Sequence, residues 1–174
     1  MKYLIVAKYQ ESLDWLADVP ADWQQIVIEK GKDLPNEGRE GSSFLLGLMR
    51  LYPTLRDDDT VICLQGDPFP HVLADTLKRA WSHPFRSFQW LGSEYRCDGE
   101  GAPDHKGLPI AQVYEAMAGA PLTKPISFAA GGQFAVMGRE VTSRQLDDYK
   151  QLFDNFDGPM PWVMERLWGV WFCG

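Results

Sequence analysis

The chain has 174 residues, a formal net charge of −7 and a hydrophobic fraction of 45%. This length and apolar fraction are typical of one globular domain that can bury a sizeable core. Binding to a nucleic-acid backbone requires a basic surface, and the sequence contains no cluster of Lys and Arg residues. We therefore expect no nucleic-acid partner.

Redox and targeting features of the sequence predict a cytoplasmic protein. The three cysteines are an odd number without the spacing of metal ligands, which is typical of a reducing compartment. The sequence begins without a charged segment followed by an apolar run, and no apolar run approaches the roughly 18 residues of a membrane span. We expect neither a signal peptide nor a membrane span. No sequence feature predicts an oligomeric state.

Predicted strands and helices alternate along the first half of the chain. Residues 3–7 and 25–29 are apolar runs typical of buried strands, and a short helix between them is capped by Ser12 and ended by Pro20. A further helix is predicted from Ser42 to Tyr52, and residues 61–65 form the next buried strand. Strands that alternate with helices predict parallel pairing through right-handed crossovers.

The second half of the chain continues the same pattern with more irregular segments. We predict helices over residues 71–81 and 110–118, a short strand within residues 85–91, an irregular loop over residues 92–105, and two strand-like runs within residues 125–137. A capping box at residues 142–145 opens a helix, and the last helix begins near Pro161. The predicted fold is α/β: a single three-layer domain over residues 1–174 with a mostly parallel central sheet flanked by helices.

Polar residues directly follow two of the predicted strands. Lys8, Tyr9, Gln10 and Glu11 follow the first strand, whereas Asp67 and His71 follow the strand at residues 61–65. Ligands of open α/β sheets bind beyond the carboxyl ends of the strands, so these residues are candidates for a binding site. Alternatively, Asp67 only shapes the turn and His71 lies in the first turn of a helix.

Three further segments carry candidate binding or catalytic residues. Glycines around Arg39 precede a helix whose exposed N–H groups favour an anion, although their spacing matches neither a Walker loop nor a dinucleotide fingerprint. Asp104-His105 is a second candidate polar contribution, and Glu165-Arg166 pairs a carboxylate with a cation on the last helix. Each segment also has an alternative interpretation. Arg39 would only pair with a neighbouring carboxylate at a Gly-rich helix start, Asp104-His105 would be an exposed loop pair, and Glu165-Arg166 would be a surface ion pair.

Five motifs together resemble those of a known family. They are Val6-Ala7-Lys8-Tyr9-Gln10-Glu11, Asn36-x-Gly38-Arg39-Glu40-Gly41, Leu64-Gln65-Gly66-Asp67-Pro68-Phe69-Pro70-His71, Gly132-Gln133-Phe134-Ala135-Val136 and Glu165-Arg166-Leu167-Trp168. In this order, and over nearly the whole chain, they resemble a family of uncharacterised proteins that looks like a compact relative of GT-A glycosyltransferases. The resemblance implies a GT-A-like fold.

The resemblance also implies a metal-assisted nucleotide pocket. Residues 7–11 would form its edge, and Gln65-Gly66-Asp67 falls where GT-A enzymes carry an Asp-x-Asp metal motif, of which one acid is missing here. Asp67, helped by His71, would hold Mn²⁺ or Mg²⁺ partly through waters.

The implied reaction is transfer of a sugar from a nucleoside-diphosphate donor to an acceptor hydroxyl. Catalysis is assigned to Glu165, as the base, and to Asp67, with Asp104 as the reserve base. The implied substrate-binding residues are Lys8, Tyr9, Gln10, Glu11, Arg39, Gln65, Gln133 and Arg166. The expected partners are therefore a nucleotide sugar and an unidentified acceptor.

Two other classes of function stay open at this point. A non-catalytic sugar- or nucleotide-binding protein of the same fold would keep the pocket without a competent base and metal. A metal-dependent hydrolase would use Asp67, His71 and Asp104-His105 to activate water. Trp168 is a candidate for stacking on a sugar, with core packing as the alternative.

Overall fold

The computed structural model describes residues 1–83, 85–101 and 105–174. Its strands are β1 (Lys2–Lys8), β2 (Trp23–Glu29), β3 (Thr60–Gln65), β4 (Phe88–Trp90), β5 (Glu94–Cys97), β6 (Ile126–Ala129) and β7 (Phe134–Met137). Its α-helices are α1 (Arg39–Leu51), α2 (Ala74–Ser82), α3 (Ile110–Ala118), α4 (Gly138–Thr142), α5 (Leu146–Asp154) and α6 (Met160–Cys173). Short 3-10 helices span Asp14–Asp18, Tyr52–Thr54 and Ala130–Gly132.

The main sheet has five strands in the order β2-β1-β3-β7-β4. β1 pairs in parallel with β2 and with β3, whereas β7 pairs antiparallel with β3 and with β4. The α/β prediction is confirmed, but the sheet is mixed, with two parallel and two antiparallel pairings. A strand buried on both faces has the same apolar pattern in either direction, so the sequence pattern does not encode the direction of β7.

Two predicted segments differ in detail from the structure. The segment predicted as an irregular loop contains β5, which pairs antiparallel with β6 in a separate two-stranded sheet. Three of its four residues are exposed and polar or aromatic, which gives no clear alternation of burial. The helix predicted to open at residues 142–145 begins only at Leu146, as α5, and its capping box is formed by Gln145 and Asp148. The short helix α4 ends at Thr142, at the start of the predicted segment.

Helices cover both faces of the main sheet because successive side chains of a strand point to opposite sides. Ile5 belongs to a core formed with α1 and α6, whereas Leu4 belongs to a second core formed with α2. Trp168 of α6 is 1% exposed and lies 5.6 Å from the ring of Phe134, so it packs in the first core. Among the described residues, no helix combines the length and apolar character needed to cross a membrane.

Candidate functional site

The parallel strands β1, β2 and β3 end at one edge of the sheet, and a cavity of about 280 Å³ lies there. Its lining residues are Ala7, Lys8, Tyr9, Glu11, Lys30, Asn36, Arg39, Glu40, Gln65 and Asp67. A larger cleft of about 510 Å³ lies at the opposite edge, beside Lys2 and Thr60. The carboxyl edge is the better candidate, since ligands of open α/β sheets bind at that edge.

Two cations of the cavity are held by neighbouring side chains. Lys8 Nζ lies 2.6 Å from Glu29 Oε1, and both side chains are partly exposed. Arg39 Nε lies 3.5 Å from Glu40 Oε2, and its guanidinium carbon lies 5.5 Å from the centre of the Trp162 ring. The sequence alternative that Arg39 pairs with a neighbouring carboxylate is therefore confirmed, although Arg39 also lines the cavity.

Lys30 is a buried cation at the end of β2. Its side chain donates to Ser42 Oγ at 2.7 Å and to the carbonyl of Glu37. Burial lowers the pKa of Lys30 to about 8, while the nearby carboxylates of Glu40 and Glu37 act in the opposite direction. Part of the Lys30 population is therefore neutral at mildly alkaline pH.

Glu40, in the first turn of α1, is a largely buried carboxylate of the cavity, with a side chain that is 11% exposed. Burial raises the pKa of Glu40, and the charge of Glu165 adds to this effect. The charge of Arg39 and a hydrogen bond from the Gln65 side chain lower the pKa of Glu40 in part. Glu40 thus combines contact with the cavity and a perturbed protonation equilibrium, as catalytic carboxylates often do.

A buried glutamine holds the loop that follows β3. Gln133 is 0% exposed, and its Oε1 accepts the backbone N–H of Gln65 at 3.1 Å while its Nε2 donates to the Pro68 carbonyl at 3.3 Å. Gln65 Nε2 in turn donates to the Gly131 carbonyl at 3.3 Å. Gln133 lies behind the cavity wall and positions Gln65, so it is not among the lining residues.

Glu165 and Arg166 form a buried ion pair behind the same wall. Glu165 Oε1 accepts the N–H of Gly131 at 2.7 Å, and Glu165 Oε2 accepts Arg166 Nη1 at 2.8 Å. Arg166 Nη1 also donates to the Trp162 carbonyl at 2.7 Å. The two side chains are 9% and 3% exposed, so the alternative of a surface ion pair is wrong. Neither residue lines the cavity, and the roles assigned to them remain predictions.

Gly131 is the point at which this network meets the backbone. Its φ of +77° lies in the left-handed region, which glycine adopts without strain. A Cβ atom at this position would lie 2.7 Å from Cδ2 of His71. His71 therefore packs against Gly131 and is not among the residues that line the cavity.

The predicted metal ligands, Asp67 and His71, lie on the segment between β3 and α2. Asp67 is exposed and lines the cavity, and its Oδ1 accepts the N–H of Phe69 at 3.3 Å. Across residues 1–83, 85–101 and 105–174, no three His, Cys, Asp or Glu side chains lie close enough together to hold a metal ion. These donors do not fit a metal held by protein ligands alone, and we derive no catalytic step through one. Binding of Mn²⁺ or Mg²⁺ remains a prediction.

The structure brings part of the predicted site together. The predicted residues that line the cavity are Lys8, Tyr9, Glu11, Arg39, Gln65 and Asp67. Gln10 is exposed and is not among the lining residues. Asp104 lies outside the described residues. His105 Nδ1 lies 3.2 Å from Arg166 Nη2. The sequence does not single out Lys30 or Glu40, although Lys30 directly follows a predicted strand and Glu40 lies within a quoted motif.

Fold and site together define an α/β protein with a charged cavity at the carboxyl edge of three parallel strands. No family model matches the chain, and it matches neither a curated protein nor a solved structure. Its function therefore follows from the chemistry of the cavity and from the resemblance of its motifs.

Proposed function

We propose that the protein is a GT-A-like glycosyltransferase that moves a sugar from a nucleoside-diphosphate donor to an acceptor hydroxyl. The main support is the cavity itself, in which three cations and three carboxylates from separate segments line a space of about 280 Å³. All five motifs of the resemblance contribute to this cavity or to the hydrogen bonds behind it. Segments that are far apart in sequence thus meet where a donor would bind.

The cations of the cavity suit the diphosphate of the donor. Lys8, Lys30 and Arg39 would offset the negative charge that grows on the departing diphosphate. Tyr9 is 45% exposed beside them and offers an aromatic face to a base. The acceptor oxygen attacks the anomeric carbon, the bond from that carbon to the diphosphate oxygen breaks, and a carboxylate takes the acceptor proton. The sequence predicts Glu165 for this last role.

A non-catalytic sugar- or nucleotide-binding protein is the second candidate. It is favoured by the ion pairs of Lys8 with Glu29 and of Arg39 with Glu40, because paired cations stabilise a fold without chemistry. The transferase must bind and turn over the donor, whereas the non-catalytic protein binds a sugar or a nucleotide without turnover.

Binding of the donor is the first test of the proposal. A nucleoside diphosphate present at 100 times its Kd stabilises a protein by about 2.7 kcal/mol, which raises the Tm of a chain of this size by roughly 5–10 °C. We expect such a shift with UDP, GDP or a matching nucleotide sugar, measured by differential scanning fluorimetry. Lys8→Ala should reduce the shift. Lys150→Ala is the control, since Lys150 forms an ion pair of similar length, 2.8 Å to Asp147, away from the cavity.

Turnover then separates the candidates. Release of nucleoside diphosphate from the donor, reduced in Asp67→Asn, is the result expected of a transferase. Binding without release would favour the non-catalytic protein, and stabilisation by Mn²⁺ alone would favour a metal-dependent hydrolase. The proposal is rejected if no nucleotide or nucleotide sugar of the panel stabilises the wild-type protein.

A further inference from the structure

Three carboxylates line the cavity, and their environments differ. Asp67 is exposed on the loop after β3. Glu11 is partly exposed, and its Oε2 accepts the N–H of Tyr9 at 2.7 Å. Glu40 is the carboxylate withdrawn from water, since its side chain is 11% exposed although it borders the cavity. Glu40 is thus the one placed to meet a ligand in a water-poor setting.

Glu165, the base predicted from sequence, has a different environment. Both of its oxygens accept strong hydrogen bonds, one from Gly131 at 2.7 Å and one from Arg166 at 2.8 Å. Such bonds hold the carboxylate in one orientation, and Glu165 does not line the cavity. This geometry suits a residue that organises the wall and supplies a fixed negative charge.

Glu40 is surrounded by charges from every element that reaches this edge of the sheet. These groups are Glu37 and Arg39 at the start of α1, Lys30 after β2, Lys8 and Glu11 at the end of β1, Asp67 after β3 and Glu165 on α6. Glu165 opposes ionisation of Glu40, whereas Arg39 favours it. A base between charges of both signs can accept a proton without leaving a large unbalanced charge.

We infer that Glu40 is the proton acceptor of the proposed transfer and that Glu165 is a positioning residue behind it. The inference rests on the proposed function. As the acceptor oxygen forms its bond to the anomeric carbon, its proton moves to the Glu40 carboxylate, and the electron pair of the broken bond leaves with the diphosphate. The proton on Glu40 returns to solvent before the next cycle.

The protonation equilibrium of Glu40 agrees with this role. Burial raises its pKa above the ordinary value of 4.5 and brings it closer to neutral pH. A general base is most effective when its pKa lies near that pH. Activity should therefore fall as the pH is lowered through the raised pKa of Glu40.

The test measures release of nucleoside diphosphate from UDP-glucose, UDP-N-acetylglucosamine and GDP-mannose, with water in place of the unidentified acceptor. Glu40→Gln removes the proton acceptor and keeps the side-chain shape, so we expect kcat to fall by about 10²- to 10⁴-fold with little change in KM. Glu140→Gln is the matched control. Like Glu40, Glu140 follows a Gly-Arg pair. Its Oε1 lies 3.2 Å from Arg139 Nε, and it does not line the cavity, so the turnover of Glu140→Gln should equal that of wild type.

The role of Glu165 is tested in a double variant. Glu165→Gln alone would leave the buried charge of Arg166 without its ion-pair partner, whereas Glu165→Gln with Arg166→Met removes both charges together. We expect the double variant to retain more than one tenth of the wild-type kcat, and its activity should still fall at low pH as in wild type. The residual activity of Glu40→Gln should lack this fall at low pH. Circular dichroism establishes whether each variant is folded.

Chemical rescue provides a second measurement that does not depend on one substitution. Sodium formate should restore turnover to Glu40→Ala by supplying a carboxylate to the vacated space, and it should have no effect on the double variant.

Full turnover in folded Glu40→Gln would overturn the inference and leave the proposed function standing. Loss of turnover in the double variant, with an unchanged Glu40→Gln, would restore Glu165 as the base. Absence of wild-type release from every donor would reject the transferase and Glu40 together.

Discussion

At the scale of single residues, the cavity places charged side chains where water solvates them poorly. Lys30 is 8% exposed, and the side chain of Glu40 is 11% exposed. Burial of each charge costs free energy that hydrogen bonds and neighbouring charges offset only in part. Ser42 and the Glu37 carbonyl solvate Lys30, and Gln65 and Arg39 support Glu40. Buried charged groups with a shifted pKa are enriched at functional sites, although structural ion-pair networks also contain them.

The lowered pKa of Lys30 makes stability depend on pH. The folded protein releases the Lys30 proton near pH 8 and the unfolded chain near 10.5, so the unfolded state binds more protons between these values. The free energy of unfolding therefore gains a contribution from Lys30 as the pH rises from about 8 to 10.5, and the cost of the buried charge is fully present below pH 8.

Urea unfolding of wild type and Lys30→Met from pH 7 to pH 10.5 measures this contribution. We expect the stability of wild type, relative to the variant, to rise across the window. Lys32→Met changes an exposed lysine two residues away, so the difference from wild type should stay flat. A flat difference for Lys30→Met as well would contradict the burial of a charged amine at this position.

At the scale of elements, α5 begins at a capping box that lies later in the chain than the one predicted at residues 142–145. The Asp148 side chain accepts the N–H of Gln145 at 3.0 Å, and the Gln145 side chain accepts the N–H of Asp148 in return. Both N–H groups have no acceptor within the helix itself, and they lie at the positive end of the helix dipole, where a carboxylate is favourable. These contacts set the start of α5 at Leu146 and separate it from α4.

Removal of the capping carboxylate should destabilise the protein. We expect Asp148→Ala to lower the free energy of unfolding by about 0.5–2 kcal/mol, because it loses the cap and the favourable charge. Asp154, the last residue of α5, lies at the negative end of the dipole, so Asp154→Ala should be neutral or slightly stabilising. Urea denaturation of the two variants measures the difference, and equal losses would show that neither the cap nor the dipole matters here.

At the scale of the whole molecule, two apolar cores on opposite faces of one sheet hold the site in place. α1 contributes Arg39 and Glu40 to the cavity and packs Phe44 and Leu48 into the first core. α6 places Glu165 behind the cavity wall and packs Trp168 into the same core. The helices that form the core therefore also carry the polar side chains of the site, and the packing of the core holds these side chains in fixed relative positions.

The cysteines report on this packing. Cys63 and Cys97 are buried, and burial raises the pKa of both thiols, whereas Cys173 is exposed. Reaction with a disulfide reagent requires an accessible thiolate. Ellman's reagent should therefore react rapidly with one thiol of the native protein and with three in guanidinium chloride. Cys173→Ser should abolish the rapid phase and Cys97→Ser should preserve it. Rapid reaction of all three native thiols would contradict the packing of the first core, to which Cys63 and Cys97 belong.

Elements with strong local patterns could be predicted from the amino-acid sequence alone. Apolar runs located β1, β2 and β3, polar residues after the strands located Lys8 and Asp67 at the cavity, and residues 110–118 form the predicted helix α3. These features depend on a few consecutive residues, whose pattern of burial is set by the geometry of a strand or a helix.

Contacts between distant segments set the direction of β7, the burial of Glu165 with Arg166 and the position of Glu40 in the cavity. A glutamate has the same local pattern on a surface and in a cavity, because its exposure depends on segments distant in the chain. The pairing of β7 and the positions of Lys30 and Glu40 in the cavity arise from such distant contacts, and for that reason the sequence pattern does not encode them.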